Sequence, residues 1–515
     1  MTTAAAAPAR ARRPRTRTAA PVGVARLLRI ELRRNTMPWL LPLIAALFWF
    51  DSYRPSTTMP ALWVLQTFWN LGQGHTIIDF GPFVAGVAAW MGSRDGRRNV
   101  TDLATTTARP RWTVQLITWA ATAIWAVGGY LVFVGAMFAV YAGQHVQGQP
   151  PWWWVVAGAA AVAAFSAAGF AAGAFVPSRF AAPLAAFGGF LALIMSSQTG
   201  FNDTSGWAWI LPTNSNGNFQ PDSGMLYPYL PDLPLARIML MAGLTLALLG
   251  LTGLPARAGG RTLRRAAAVV TVAGLALAGT AIGLVDAAHL GPHGVVIPAL
   301  HDAANDRTLS YTPVCSRAAG VPVCVNPAYE SGLAGLSAAL TPVVREWSGL
   351  PGAPDRAVQT PAVYDSANGG SGQIMTISGQ PAVLGIPLGA LGISGAFGAT
   401  GGQVGGELQL LAEHAFVGAG ESRGTRAQQA VEAALLQGTG LPFSQQPALL
   451  SSTGLPSWAP PVPDPHHPDG PPPATGPVYD AARRLAALPS AARHAWLAAH
   501  LAALRSGQLT LAQLP

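Results

Sequence analysis

Long apolar segments without charge dominate the first 286 residues of this chain of 515 residues. About 20 predominantly apolar residues in a helix cross the hydrocarbon core of a bilayer, so each segment is a candidate membrane-spanning helix. Six such helices are predicted at 35–50, 112–141, 152–176, 180–198, 238–256 and 266–285. Only 10% of the whole chain is charged, against about 25% in ordinary soluble proteins, which argues against a wholly cytosolic enzyme.

The region 55–93 has two interpretations. One helix from about Thr76 to Gly92 fits best, with the aromatic-rich stretch 59–71 at the outer interface, where amphipathic rings are favoured. The alternative is two spans. In the first interpretation Asp79 lies near a helix N-terminus, where the helix dipole favours a carboxylate, and the other possibility is a role in a substrate path.

The basic residues are all arginine, since the 31 Lys and Arg residues include no Lys. A Walker A ATPase and a Schiff-base enzyme both need a lysine amine, so both are excluded. With seven spans and a cytoplasmic N-terminus, the cytoplasmic segments hold nineteen Arg, whereas the outer loops hold only Arg54 and Arg237. The net charge of +9 therefore indicates membrane orientation by the positive-inside rule and not nucleic-acid binding. An odd number of spans leaves the tail outside the cell, where ten Arg and thirteen Asp and Glu give it a charge of −3.

The fold class predicted from these patterns is an α-helical polytopic membrane protein with about seven transmembrane helices, plus a mixed α/β extracytoplasmic C-terminal domain. Five regions follow from the changes in composition. They are a disordered basic N-terminus at 1–21, the transmembrane domain at 22–286, the extracytoplasmic domain at 287–455, a Pro-rich linker at 456–477 and a helical segment at 478–515. This last segment is predicted to dock on the tail domain or on a second subunit.

The tail begins with a strand-like stretch at 312–327 and a predicted helix at 329–347. Cys315 and Cys324 lie in the strand-like stretch, and outside the cell such a pair is expected to form a disulfide. Two cysteines are too few for a four-ligand zinc site. The segment ELQLLAEHAFV at 407–417 is predicted to be helical, but it lacks the first His and the general-base Glu of a zinc peptidase. We therefore expect an inactive peptidase-like domain or an unrelated binding domain, with no metal site and no catalytic residue.

Two segments on the cytoplasmic side are candidates for function. The sequence VGVARLLRIELRR at 22–34 places Val24, Leu27, Leu28 and Leu32 on one helical face, as in an interfacial helix, although a plain basic flank is the alternative. The sequence GSRDGRRNVTDLATTTARPRWTVQL at 92–116 predicts a short polar helix that ends before Pro110. A short charged helix held between two spans suits docking to a cytoplasmic partner.

These features resemble the permeases of ABC-2 type transporters, especially those of actinobacteria. The resemblance covers roughly residues 22–256 and includes the long outer loop between spans five and six. It implies the dimeric membrane subunit of an exporter, a homodimer or a paired permease, driven by a separate cytoplasmic ATP-binding subunit that holds ATP and Mg. This chain itself would hold no cofactor. The resemblance assigns a connecting helix to 22–34 and coupling to the ATPase to the following residues: Arg94, Asp95, Arg97, Arg98, Asp102 and Arg109.

The chain departs from the usual six-span permease by its seventh span and its tail. Two other functions therefore stay open: a membrane-anchored scaffold or sensor, and a degenerate zinc-peptidase-like protein that acts through its tail. The expected location is the plasma membrane in every case. Gly169 and Gly173 in the fourth span allow close helix contact, either within one subunit or between two.

Overall fold

The computed structural model describes most of the membrane domain and about half of the tail. The described residues are 23–54, 74–97, 110–143, 148–199, 205–213, 223–255, 260–291, 293–360, 376–378, 381–386, 425–437 and 477–515. Several predicted features lie outside them: the N-terminal segment, the stretch 59–71, the helix at 407–417 and all but the last residue of the Pro-rich linker.

The membrane domain is a bundle of helices. Its described helices are α1 Val24–Arg34, α2 Met37–Phe48, α3 His75–Gly92, α4 Arg94–Arg97, α5 Arg111–Gly143, α6 Trp152–Phe175, α7 Ala181–Thr199, α8 Gly206–Trp209, α9 Asp232–Gly253 and α10 Gly260–Val285. A π-helical turn, Trp49–Tyr53, extends α2.

Within the described residues, five of these helices are long and apolar enough to cross a membrane: α5, α6, α7, α9 and α10. Two further apolar helices, α2 and α3, are shorter. The helix predicted from about Thr76 to Gly92 is confirmed, since α3 begins one residue earlier and ends at Gly92. The longest helix, α5, has 33 residues.

Glycine allows the central helices to touch backbone to backbone. A Cβ added to Gly169 of α6 would lie 2.0 Å from the carbonyl oxygen of Ala85 in α3, and one added to Gly173 would lie 2.0 Å from that of Ala89. Helices pack in this way where small residues let their backbones approach. The glycine pair therefore packs within one chain, which decides between the two possibilities left by the sequence.

The apolar helices alternate in direction along the chain. Gly86 of α3 faces Ala182 and Ala186 near the start of α7, whereas Gly81 faces Leu193 near its end, so these two helices are antiparallel. The pair α9 and α10 is antiparallel by the same kind of contact. In contrast, α3 and α6 run parallel, because the contacts of Gly169 and Gly173 advance together along both helices.

This alternation gives the bundle two ends. One end holds α1, α4 and the start of α10, and we call it the basic end; the other end leads into the tail, and we call it the tail end. The described arginines at the basic end are Arg26, Arg29, Arg33, Arg34, Arg94, Arg97, Arg111, Arg179, Arg261, Arg264 and Arg265. At the tail end of the described bundle, arginine occurs at Arg54 and Arg237.

The tail contains a small two-stranded ribbon and a five-stranded mixed sheet. The ribbon pairs β1 His289–Gly291 with β2 Gly294–Val296. The sheet has the order β3-β4-β5-β7-β6. Its strands are β3 Val314–Ala318, β4 Val321–Val325, β5 Arg356–Gln359, β6 Thr376–Ser378 and β7 Val383–Ile386. The strand-like stretch predicted at 312–327 is therefore a hairpin, in which β3 and β4 are antiparallel.

The disulfide predicted from the sequence is present in this hairpin. Cys315 and Cys324 face each other in register across β3 and β4 and are bonded to each other. Opposed residues on antiparallel strands bring their Cβ atoms close enough for a disulfide, which explains why these two positions pair. The bond therefore closes the hairpin.

Helices cover the sheet and complete the core of the tail. They are α11 Glu330–Trp347, α12 Arg426–Gln437, α13 Pro477–Ala487 and α14 Ser490–Arg505. The break between the last two falls at the predicted Pro489. Leu485, Leu497, Leu501 and Leu504 are buried with α11 in one hydrophobic cluster. The C-terminal helices thus dock on the tail domain of their own chain.

Candidate functional site

The amphipathic helix α1 lies along α5 at the basic end. Leu27, Leu28 and Leu32 are half-buried, whereas Val24 is exposed, so the predicted apolar face is correct apart from its first member. The indole Nε1 of Trp125 in α5 donates a hydrogen bond of 3.0 Å to the carbonyl oxygen of Leu32. This contact fixes α1 against the bundle along its length.

A two-pronged ion pair joins α1 to α4. The Nη1 and Nη2 atoms of Arg94 donate hydrogen bonds of 3.1 and 3.0 Å to the two carboxylate oxygens of Glu31. Bidentate pairs of this type are stronger and more specific in geometry than single contacts. Burial lowers the pKa of Arg94, but the hydrogen bonds and charge of Glu31 more than offset burial, so the net pKa is raised. Arg94 therefore remains a cation.

Arg97 folds back on the end of α3. Its guanidinium carbon lies 3.4 Å from the centre of the Trp90 ring, a cation–π contact. Its Nη2 donates to the carbonyl oxygen of Trp90 at 2.8 Å, and its Nε donates to Ser93 Oγ at 3.0 Å. Arg97 therefore stabilises the C-terminal turn of α3.

Close packing continues from α4 to the turn before α7. A Cβ added to Gly96 would lie 2.3 Å from the Cβ of Pro177. Asp95 is next to Gly96, and its Oδ1 lies 3.7 Å from the Nε of Arg94. The residues of α4 thus form a tight junction between α1, α3 and the α6–α7 turn.

The structure separates the six residues assigned to ATPase coupling into two groups. Arg94, Asp95 and Arg97 lie in α4, where the two arginines make the internal contacts given above. The other three lie outside the described residues: Arg98, Asp102 and Arg109. Arg94 and Arg97 are held by these internal contacts, and their coupling to an ATPase stays a prediction.

Glu31 is the site residue that the sequence analysis missed. It is the one acidic residue in the sequence VARLLRIELRR, and it is half-buried. The signal available in the sequence was a single carboxylate within a basic amphipathic helix. Such a carboxylate is costly to bury unless a cation pairs with it. Its partner follows 63 residues later and could not be identified by spacing.

A second polar cluster links the tail end of the bundle to the tail. Asp232, in the first turn of α9, is fully buried, and its Oδ2 accepts hydrogen bonds from the amide of Ile297 at 2.9 Å and from His301 Nδ1 at 3.0 Å. The other ring nitrogen of His301 lies 3.1 Å from Asp306 Oδ2, and His293 Nε2 lies 2.8 Å from Asp306 Oδ1. We call these four side chains the His–Asp junction.

The histidine at the centre of the junction is biased towards its charged form. The hydrogen bond to Asp306 raises the pKa of His301; burial acts in the opposite direction, but Asp232 adds to the rise. Correspondingly, the hydrogen bond from His301 lowers the pKa of Asp306. The junction therefore favours an ion-paired state in which one imidazolium joins two carboxylates.

Arg237 lies one turn further into α9 and is 4% exposed. Its Nη2 and Nε atoms donate to the carbonyl oxygen of Trp209 at 2.7 and 3.2 Å, and its guanidinium lies 5.0 Å from the centre of the Trp154 ring. Trp209 is thus buried, while its neighbour Trp207 is half exposed. Arg237 holds α8 over the tail end of the bundle.

In the part of the chain that the structure describes, no group of three or more His, Cys, Asp or Glu side chains could hold a metal ion. His301 bonds to both Asp232 and Asp306, and these contacts join the first turn of α9 to the tail. Comparisons with known proteins give no match: no family model, no curated protein and no solved structure is significantly similar to the chain. A function for this chain is therefore inferred from its sequence and from the geometry of the described residues.

Proposed function

We propose that the chain is the membrane-spanning permease subunit of an ATP-driven exporter in the plasma membrane. It crosses the bilayer seven times, with the basic end in the cytoplasm and the tail outside. A separate cytoplasmic subunit binds and hydrolyses ATP with Mg. The permease works as a homodimer or beside a paired permease.

The observation that carries this proposal is the Glu31–Arg94 pair. It ties the amphipathic α1 to α4 at the basic end, and α4 in turn packs on the α6–α7 turn through Gly96. A partner that moved this junction would move α1, α3 and α6 together. Such a rigid connection is what a permease needs in order to convert a push from an ATPase into movement of its helices.

Two further observations support the same assignment. A chain without lysine lacks the P-loop amine that contacts ATP phosphates, so hydrolysis belongs to a partner. The alternation of helix direction places the described arginines of the bundle mainly at one end, as the positive-inside rule requires of a cytoplasmic face.

Purification of the full chain from its own host in mild detergent, followed by mass spectrometry, tests the proposal. We expect a P-loop ATPase in stoichiometric amount. Glu31→Gln removes the carboxylate that holds Arg94 and should reduce the recovered ATPase several-fold, because the docking residues lose their position. The matched control is Arg264→Gln, which removes an exposed charge at the same end but on α10.

The charge-swapped double variant Glu31→Arg with Arg94→Glu should restore part of the lost association. Absence of any ATPase, under conditions that keep a known permease paired with its own, would refute the proposal. Equal loss in Glu31→Gln and Arg264→Gln would show that association does not depend specifically on this junction.

One observation favours a second candidate function, a membrane-anchored sensor. Met225, from the loop between α8 and α9, is buried in the hydrophobic cluster of the tail. The amide of Leu309 also donates to the carbonyl oxygen of Leu226 at 2.7 Å. A ligand bound by the tail could therefore act directly on the bundle. Recovery of the protein without an ATPase, but with a ligand of the tail, would favour this function.

A further inference from the structure

A lateral groove runs between α2, α3 and α7 near the basic end. Its volume is about 310 Å³, and Thr36, Trp39, Gly86, Trp90 and Ala182 are among the residues that line it. Gly86 and Ala182 form the floor of the groove, where α3 packs closely on α7, and the two tryptophans form its walls.

The groove opens towards the surroundings of the bundle and not towards its core. Trp39 is 87% exposed and Trp90 is 41% exposed. Both lie on apolar helices, so in a bilayer these exposed rings would border lipid at the depth of the basic end. A mainly apolar groove at that depth excludes water, and an acyl chain is the occupant that matches its surface.

An arginine lies in the chain just before or just after each of the three helices at the basic end. Arg34 comes two residues before Thr36, and Arg179 comes three residues before Ala182; both arginines are exposed. Arg97 lies over Trp90. Arginines beside a groove between membrane helices match the phosphate of an anionic lipid, and this attraction adds to the apolar contact.

A polar atom lies between the arginines and the apolar floor. Thr36 Oγ1 is buried and has no hydrogen-bond partner among the described residues. A buried hydroxyl without a hydrogen-bond partner lowers the stability of the fold. An ester oxygen, which lies between the phosphate and the acyl chain of a phospholipid, would satisfy it.

We propose that this groove is a binding site for an anionic phospholipid of the leaflet at the basic end. One acyl chain fills the groove, an ester oxygen accepts from Thr36, and the phosphate lies among Arg34, Arg97 and Arg179. The site needs no ATPase and no cargo, so it stands independently of the function proposed above.

Native mass spectrometry of the detergent-purified full chain tests the headgroup. The probes are phosphatidylglycerol and phosphatidylcholine with identical acyl chains. The wild type should retain phosphatidylglycerol in preference. Arg34→Gln with Arg179→Gln should weaken its retention about 30-fold, since each arginine contributes a factor of about five. The matched control, Arg261→Gln with Arg264→Gln, removes two exposed charges of the same end from α10 and should retain the lipid.

A second pair of variants tests the acyl chain. Val87→Phe and Ala182→Phe each place a ring in the groove and should reduce the binding of phosphatidylglycerol, with elution of the protein as a single species as the check on folding. Either variant suffices if the other fails to fold. The proposal is overturned if both lipids are retained equally, if the two arginine pairs behave alike, or if a folded groove-filling variant keeps its lipid. Displacement by inorganic phosphate alone would also overturn it, because the apolar groove would then contribute nothing.

Discussion

The membrane helices leave large apolar side chains on their surface, whereas the tail buries such side chains. In the bundle, large apolar residues such as Leu184 and Val269 are each 66% exposed, and close contacts between helices occur at glycine and alanine. In the tail, Leu336, Leu340 and Trp347 are at most 1% exposed. Lipid offers the bundle no hydrophobic driving force for association, whereas water drives the apolar side chains of the tail inwards.

This difference shows that one alanine- and glycine-rich composition serves two kinds of core. The bundle depends on the absence of side-chain atoms at chosen positions, so it should be most sensitive to added volume. The tail depends on large side chains that fill its core and on buried charges that are paired. It should therefore be most sensitive to substitutions that remove side-chain atoms or one partner of an ion pair. Three variants test this contrast, and the last of them addresses the junction where the two regions meet.

The largest effect is expected from Gly173→Leu in the bundle. The new side chain would collide with the carbonyl oxygen of Ala89, and a backbone atom cannot turn aside. We expect a cost above the ~1–3 kcal/mol of an ordinary overpacked core and the loss of most folded protein. Size-exclusion chromatography in detergent measures this. Gly188→Leu is the matched control, because a Cβ there meets nothing within 4 Å. Equal yields of the two variants would contradict the close α3–α6 contact.

The next effect concerns a buried ion pair in the tail. Arg493 of α14 bonds to Glu346 of α11, and Ser490 donates to the same carboxylate at 3.2 Å. Arg493→Ala leaves a buried carboxylate without its cation, which should destabilise the tail by ~3–5 kcal/mol. Hydrogen exchange of α11 in the full chain reports this loss, while the bundle should keep its protection.

The control for that variant is Arg483→Ala. Arg483 pairs with Asp480, but both side chains are at least half exposed, and exposed pairs contribute ~0–1 kcal/mol. If Arg493→Ala also released the bundle helices, the two regions would unfold as one unit, and the contrast drawn between them would be wrong.

The smallest effect is a pH dependence at the His–Asp junction. The pKa of His301 is raised in the folded protein, so its contribution to stability is fully present below the ordinary value of about 6.5 and is lost as the pH rises through the folded value. The pKa of Asp306 is lowered, so its contribution is present above its ordinary value and is lost as the pH falls through the folded value. The junction should therefore be strongest in mildly acidic solution.

Hydrogen exchange at the amide of Ile297, which donates to Asp232, measures the junction directly. Protection should fall as the pH rises above about 6.5 in the wild type, and this slope should be absent in His301→Gln. The groups that face His301 are Asp232 and Asp306, with His293 beyond the latter. An unchanged slope in His301→Gln would assign the pH dependence to another group.

Hydropathy and spacing predicted the local elements well. Length and lack of charge located the apolar helices, because a bilayer imposes both. The strand-like stretch around the two cysteines matches the hairpin, and the disulfide expected there is present. Seven crossings, the orientation and the ATPase partner stay predictions.

The sequence could not predict which residues that are far apart in the chain form pairs. Glu31 and Arg94 are 63 residues apart, and Asp232 and His301 are 69 apart. Hydropathy gives the length of a helix but not which of its neighbours it touches, so neither pair could be derived from it. The contacts of Arg97 with Trp90 and Ser93 were missed for the same reason. A count of charges shows at which end of the bundle an arginine lies, but not which atoms it contacts.

The unequal lengths of α2 and α5 have a consequence for the bilayer itself. With its π-helical turn, α2 has 17 residues, about 25 Å, whereas α5 has 33 residues, about 50 Å. Asn35, just before α2, bonds to Thr122, eleven residues into α5, so the short helix begins well above the start of the long one. Within the described residues, lipid beside α2 therefore meets a shorter apolar length than lipid along α5. A hydrophobic mismatch costs fractions of a kcal/mol per Å, so we expect the bilayer to be thinner beside α2 than beside α5.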